Sequence, residues 1–326
     1  MAGESVLITG VSGFVGTHLA AALTQRGGVR IYGTILSPDE VTAGAPPEVE
    51  LIVCRLEDPV SVEAAVRQAE PSVVYHLAAQ SSVPRSLADP GGTFQTNVMG
   101  VLHILEALRR MESLRSLILV SSAEVYGTVS EADLPVGEDA ALDPTNPYAC
   151  SKACADLLGA QYFRTFKLPV VRIRPFNHIG PGQSKVFAAS SFACQIAEIE
   201  AGLRPPQIMV GNLDAKRDFT DVRDIVQAYV LAAERCIPGE VYNLCSGRAV
   251  GMRQVLDGLV ASTSSRVDII PDPERMRPSD TPITLGDCSK FKAATGWSPS
   301  ITMGRTLNDL LDYWREQVRG PHYHSE

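Results

Sequence analysis

Between residues 5 and 175, short runs of Val, Ile and Leu alternate with stretches of helical spacing. The runs are "SVLITG", "RIYGTIL", "ELIVCRL", "SVVYHLA", "SLILVSS" and "LPVVRIRP". A strand buried on both faces reads as a continuous apolar run, and parallel strands need helices to carry the chain back. The intervening stretches supply such helices. "FVGTHLAAALTQRG" is one, closed by glycine; another places Val62, Ala65, Val66 and Ala69 on one face, and a third Val98, Val101, Leu102, Leu105 and Leu108. The pattern predicts an α/β fold, a doubly wound parallel sheet with helices on both faces.

Beyond about residue 176 the elements shorten and mix. "QIMVGN" and "EVYNLCS" read as strands, Val222–Glu234 as a helix with Ile225, Val226, Tyr229, Val230 and Ala233 on one face, and the last helix buries Leu307, Leu310, Leu311, Trp314 and Val318. Pro and Gly cluster at 169–182, 202–211 and 271–282. The expected organisation is a first domain over 1–176 that also receives 212–247, and a smaller interleaved α/β domain made of 177–211 and 248–326.

With 326 residues the chain has ample core for this arrangement. A net charge of −8 gives no reason to expect nucleic acid or an anionic membrane. No apolar run reaches the ~18 residues of a membrane span, and "MAGESVLITG" lacks the basic segment and apolar core of a signal peptide. The seven cysteines, Cys54, Cys150, Cys154, Cys194, Cys236, Cys245 and Cys288, form no disulfide framework and, with the six histidines, no metal-ligand spacing. Reduced thiols in a cytoplasm and no metal are expected.

Two stretches carry chemistry. "LITGVSGFVG" puts Gly10, Gly13 and Gly16 between the first strand and its helix, where free backbone N–H groups and the helix dipole can receive a pyrophosphate. In "NPYACSKACADLLG", Asn146 suits an N-cap and Pro147 the first helical position. Tyr148 and Lys152 are then i and i+4 on one face. A phenol with a pKa near ~10 beside a fixed ammonium is drawn toward the working range of an acid–base catalyst. A surface pair on a helix is the plainer alternative.

Together, "TGxxGFxG", "HLAAQSSVPRS", "NVMG", "SSAEVYG" and "YACSK" resemble the extended short-chain dehydrogenase/reductase superfamily, whose nucleotide half is a Rossmann sheet, in order and spacing over nearly the whole chain. Carried over residue by residue, the resemblance implies a catalytic set of Ser122, Tyr148 and Lys152. Lys152 would hold the nicotinamide ribose and lower the Tyr148 pKa, and Ser122 would donate to the substrate oxygen. Asn97 matches a structural and sometimes catalytic asparagine. Glu124 is either a solvated loop carboxylate or the base that dehydratases carry there, and Tyr126 reads as packing or pocket lining. The implied cofactor contacts are Gly10, Gly13, Phe14, Val15, Gly16, Ile35, Arg55, Leu56, Leu77, Ala78, Ala79, Tyr148, Lys152, Pro175 and Phe176. Ile35 stands where NAD-preferring relatives carry Asp, so NADP or NAD is expected, with NADP favoured. Arg55 replaces a further Asp and either meets the cofactor or is a surface charge.

"RIRPFNHIGPGQ", "FACQIAEIEAG" and "VGNLDAKRDFTDVRDI" resemble the branch acting on nucleotide-diphosphate sugars, nearest the reductases that convert GDP-4-keto-6-deoxy-D-mannose to GDP-D-rhamnose. Asn177, Arg217 and Arg277 then match substrate-binding positions, the arginines as phosphate forks, with Arg275 an alternative to Arg277. The implied activity is NAD(P)H-dependent reduction of a 4-keto group by a homodimer built on the helices at Val98–Leu108 and Tyr148. A GDP-mannose 4,6-dehydratase, a 4-epimerase and a non-catalytic dinucleotide-sensing regulator are the other readings.

Overall fold

The computed structural model describes residues 3–39, 44–276, 281–320 and 323, and all counts below refer to these. The chain opens with β1 (Glu4–Thr9), α1 (Phe14–Arg26), β2 (Val29–Ile35), β3 (Glu50–Val53), α2 (Pro59–Ala69) and β4 (Val73–His76). Next come α3 (Val83–Ala88), α4 (Pro90–Phe94), a π-helical turn at Gln95–Met99 and α5 (Gly100–Leu108). The central part holds β5 (Ser116–Val120), α6 (Pro147–Phe166), β6 (Val170–Pro175), β7 (Asn177–Ile179) and α7 (Ala188–Glu200). It is followed by β8 (Gln207–Val210), β9 (Lys216–Asp221), α8 (Val222–Arg235) and β10 (Val241–Leu244). The chain ends with β11 (Ala249–Gly251), α9 (Met252–Val260), β12 (Asp268–Pro271), α10 (Ser289–Thr295) and α11 (Met303–Arg319).

Seven strands form one sheet in the order β10-β6-β5-β4-β1-β2-β3, every neighbouring pair parallel. Alternate side chains feed two cores. Val6 and Ile8 of β1 pack with Leu19 of α1, Ile225, Val226 and Tyr229 of α8, and Phe291 of α10. Leu7 packs on the opposite face with Val62 and Val66 of α2, Leu105 of α5 and Tyr162 of α6. This is the doubly wound parallel sheet that continuous apolar runs dictate.

A third core joins α7, α9 and α11 through Phe192, Ile196, Val255, Leu259, Leu310 and Leu311. A three-stranded sheet β11-β9-β7 and the parallel pair β8–β12 complete this part. Within 212–247, β9 pairs with β7 and β11, whereas α8 and β10 lie on the main sheet. Phe291 and Trp297 also pack there, so the chain returns to the main sheet a second time.

The helix at Val98–Leu108 keeps Val101, Leu105 and Leu108 inward as expected, with Leu102 packed on the same core, and departs from the expectation chiefly at Val98. Asn97, Val101, Ile104, Leu105 and Leu108 are buried, while Val98 and Leu102 are half-buried and Met99 is exposed. The π-helical turn adds a residue to the repeat and rotates Asn97 inward, where its amide is fully bonded. Among the described residues no helix is long and apolar enough to cross a membrane, and no His/Cys/Asp/Glu group is placed to hold a metal.

Candidate active site

Because all seven main-sheet strands are parallel, their C-terminal ends share one edge. The glycine loop follows β1, Ile35 ends β2, Arg55 and Leu56 follow β3, Leu77–Ala79 follow β4, Ser122 follows β5 and Pro175 ends β6. Strand order reverses between β1 and β4, the switch point where doubly wound sheets bind ligands.

At that point Thr9 and His76 are register partners, with Thr9 Oγ1 2.9 Å from His76 Nδ1. Thr9 Oγ1 also accepts from the Leu77 and Ala78 amides, each at 3.2 Å, fixing the backbone opposite the glycine loop. Burial, with the Lys152 charge adding to it, pushes His76 down to about 3, so the ring is neutral. Gly10 has φ +71°, and a β-carbon there would sit 3.0 Å from Ala78 Cα. A β-carbon on Gly16 would run into the Gly10 carbonyl oxygen and lie 2.8 Å from Val11 Cα. Helix α1 starts at Phe14 with no side-chain cap. An uncapped helix start on a loop too tight for side chains fits a pyrophosphate, so the residues present suit a dinucleotide. Phe14 and Val15 are half-buried on the first turn, and the Phe14 ring stacks on His178 at 6.1 Å, joining the loop to β7.

Ile35 is buried, so β2 ends without a carboxylate. Arg55 is exposed; its amide donates to Ser61 Oγ at 3.1 Å, and its side chain meets no partner among the described residues. Leu56 is buried beneath Gly100.

Helix α6 begins as its sequence dictates, Asn146 Oδ1 accepting from the Ala149 amide at 2.8 Å with Pro147 next. Tyr148 stands beside Ser122. Burial pushes its phenol up to about 12, the Ser122 hydroxyl opposing and the Glu124 charge adding to the rise. The expectation that Lys152 lowers this phenol is not met. Lys152 Nζ donates to the Val120 carbonyl at 2.6 Å, and burial pushes it down to about 8 against the pull of Asp156. In this arrangement the raised pKa keeps Tyr148 protonated at neutral pH. Glu124 is exposed and accepts from Asn146 Nδ2 at 3.2 Å, within the same grouping.

Asn97 does not face the reacting edge with a free donor. Its Oδ1 accepts from the Gln80 amide at 2.8 Å, and its Nδ2 donates to the Gln80 carbonyl at 3.0 Å and to Ser151 Oγ at 2.9 Å. Ser151 Oγ in turn donates to the Tyr148 carbonyl at 2.7 Å. Both amide protons are used, so Asn97 positions α6 against the post-β4 loop. Asp156, one turn beyond Lys152 and fully buried, binds Arg172 and Arg174 at 2.8 Å each. Burial pushes its carboxyl up, and the two guanidinium groups outweigh that and hold it below the usual range. Arg174 Nη1 donates to Tyr126 OH at 3.0 Å, and Tyr126 OH to Asn243 Oδ1 at 2.7 Å. Tyr126 is therefore packing.

On the substrate side Pro175 is buried and Asn177 exposed. The Phe176 ring is buried in a core with Val125, Tyr126 and Cys245. Arg217 is half-buried on β9, its Nη1 donating to the Thr281 carbonyl at 2.7 Å and to its neighbour Lys216 at 2.9 Å. Arg277 lies outside the described residues. Its alternative, Arg275, is held by Asp272 at 3.1 Å.

Sequence reasoning missed Thr9, Ser151, Asp156 and Asp218. Asp218, fully buried next to Arg217, accepts from the Ser246 amide at 2.7 Å, Ser246 Oγ at 2.6 Å and the Gly247 amide at 3.0 Å. The signals were local: Thr9 touches the first glycine, Ser151 and Asp156 flank the lysine, and Asp218 follows the arginine.

A doubly wound sheet with an uncapped glycine loop and a Ser–Tyr–Lys grouping at one edge defines an oxidoreductase of the extended short-chain class. The chain belongs to the family described as GDP-mannose 4,6 dehydratase, whose model matches residues 7–310. It is 36% identical to the GDP-6-deoxy-D-mannose reductase of Pseudomonas aeruginosa over 97% of this chain and 99% of that protein. To the GDP-mannose 4,6-dehydratase of Yersinia enterocolitica it is 28% identical, covering 94% and 93%. Among solved structures, RMD from Pseudomonas aeruginosa complexed with NADPH superposes with a TM-score of 0.83 at 35% identity, covering 96% of this chain and all of that one.

Proposed function

We propose that this chain reduces the 4-keto group of a GDP-linked 4-keto-6-deoxy hexose, GDP-4-keto-6-deoxy-D-mannose giving GDP-D-rhamnose, with NADPH as reductant. The observation that carries this is 36% identity to a GDP-6-deoxy-D-mannose reductase over nearly the whole of both chains, and Tyr148 beside Ser122, its phenol kept protonated by burial, fits an acid for a carbonyl oxygen. A reduced nicotinamide, when bound on the glycine loop, supplies the hydride. Tyr148 gives its proton to the carbonyl oxygen, and Ser122 donates a hydrogen bond as negative charge develops there. The Lys152 ammonium adds positive charge to the same buried pocket.

Dehydration would also need a base for the carbon-5 proton and a polar group for the leaving hydroxyl. Glu124 offers the first, which keeps a 4,6-dehydratase as the second reading. Ala123, next to Ser122, offers nothing for the second. Similarity to a reductase at 36% identity, against 28% for a dehydratase, supports the same order.

The substrate would lie along β9, with Arg217 toward the diphosphate and Asn177 toward the sugar. Ile35 in place of an acid, and a similar protein in complex with NADPH, support NADPH over NADH. Exposed Met99 and Leu157 on the outer faces of the π-helical turn and α6 support a homodimer through these helices. Seven free thiols suit a reducing cytoplasm. The test is loss of reduced-nicotinamide absorbance when GDP-4-keto-6-deoxy-mannose is added with NADPH and, separately, NADH. Absence of consumption with both would refute the proposal.

A further inference from the structure

A cavity of about 370 Å³ lies away from Tyr148, where β8, β12 and the turn between β8 and β9 meet. Its size is that of a small-molecule site, which typically encloses ~300–1,000 Å³. Val210, Ile269 and Met276 give it apolar walls, and Asp214 and Arg253 put two charged side chains on its lining. The two elements that carry those charges are locked together. The α9 N-terminus sits on the turn through Met252 N to the Ala215 carbonyl at 2.9 Å and Arg253 N to the Leu213 carbonyl at 3.1 Å.

Opposite charges lining one cavity ordinarily pair. Here Asp214 and Arg253 make no side-chain hydrogen bond or ion pair with each other, or with any other described residue. Nearby Arg275, by contrast, is committed to Asp272. The cavity thus keeps a free acceptor and a free donor beside apolar walls, the combination that reads the edge of a flat heteroaromatic ring. It lies at the far end of β9 from the catalytic edge. From Lys216 to Phe219, which pairs with Asn177, three strand residues span about 10 Å. Arg217 sits between the two ends.

We infer that Asp214 and Arg253 are specificity-determining residues that select guanine as the base of the nucleotide, an assignment that rests on the GDP-sugar function proposed above. Guanine presents two adjacent donors, N1–H and the 2-amino group, which match the two oxygens of one carboxylate, and an acceptor pair, O6 and N7, which matches a guanidinium fork. Uracil and thymine flank their single N–H with carbonyl oxygens, which a carboxylate repels, so Asp214 also discriminates against them.

The test is calorimetric titration of the full chain with GDP, IDP and UDP. IDP lacks only the 2-amino group. The wild type should bind GDP at least ~10-fold tighter than IDP, the worth of one charge-assisted hydrogen bond. Asp214→Ala should bring that ratio to near one. Arg253→Ala should weaken GDP and IDP alike and keep the ratio. Both positions are exposed, and circular dichroism of each variant checks the fold. If GDP binds the wild type and Asp214→Ala leaves the ratio intact, the assignment of Asp214 is overturned while the GDP-sugar function stands. If the wild type prefers UDP to GDP, the GDP-sugar function itself fails.

Discussion

Asn97→Ala removes the pin between the catalytic helix and the post-β4 loop. Three hydrogen bonds, two part-buried and one buried, are lost at once: from the Gln80 amide, to the Gln80 carbonyl and to Ser151 Oγ. At about 1 kcal/mol each, the expected cost is ~3 kcal/mol, rising where the orphaned backbone groups stay dry. A domain stable by ~5–15 kcal/mol survives this. The unfolding midpoint should fall by roughly 6–12 °C, at ~2–4 °C per kcal/mol for a chain of this order of size. Turnover should fall as well, because Ser151 loses a partner while holding the Tyr148 carbonyl. The assay pairs thermal unfolding with a pH–rate profile. A positioning residue lowers the plateau of that profile without moving its break. An unchanged midpoint together with a shifted break would put Asn97 among the proton-transfer groups and refute the reasoning.

Tyr148→Phe should bind NADPH normally and lose ~10²–10⁴-fold in turnover, since only the proton-bearing oxygen is removed; near-wild-type turnover would remove Tyr148 from the mechanism. Reduction should be level with pH up to about 8 and then decline, because Lys152 loses its charge there, well before an ordinary lysine, while Tyr148 keeps its proton to about 12. A rate that stays level well above that pH would contradict the role given to the ammonium. Gly16→Ala should weaken NADPH binding ~10-fold or more in a fluorescence titration, since its β-carbon must displace the Gly10 carbonyl and the loop amides that meet the pyrophosphate. Unchanged affinity would mean the loop is not the phosphate cradle.

What could be read from the sequence was whatever a local rule decides. The start of α6 follows from Asn146 and Pro147 alone, and the buried face of α8 from Ile225, Val226, Tyr229, Val230 and Ala233 at helical spacing. The continuous apolar strands gave away the parallel sheet because burial on both faces leaves no room for alternation. Three features depend on partners distant in sequence and stayed hidden. The π-helical turn at Gln95–Met99 goes with the bonds Asn97 makes to Gln80 and Ser151, and the expected inward positions Val98 and Leu102 are only half-buried. Lys152 points at the Val120 carbonyl rather than at its i−4 tyrosine, since a buried ammonium takes the nearest strong acceptor. Phe176 faces a core shared with Tyr126 and Cys245, which no reading of "RPFNH" reveals.

Reduction and dehydration are told apart by mass spectrometry of two parallel reactions, GDP-4-keto-6-deoxy-mannose with deuterium-labelled NADPH and GDP-mannose with NADP⁺. A product carrying one deuterium at carbon-4 in the first, and unaltered GDP-mannose in the second, is the expected result. Stoichiometric conversion of GDP-mannose to a product lighter by one water, with the cofactor unconsumed, would contradict it.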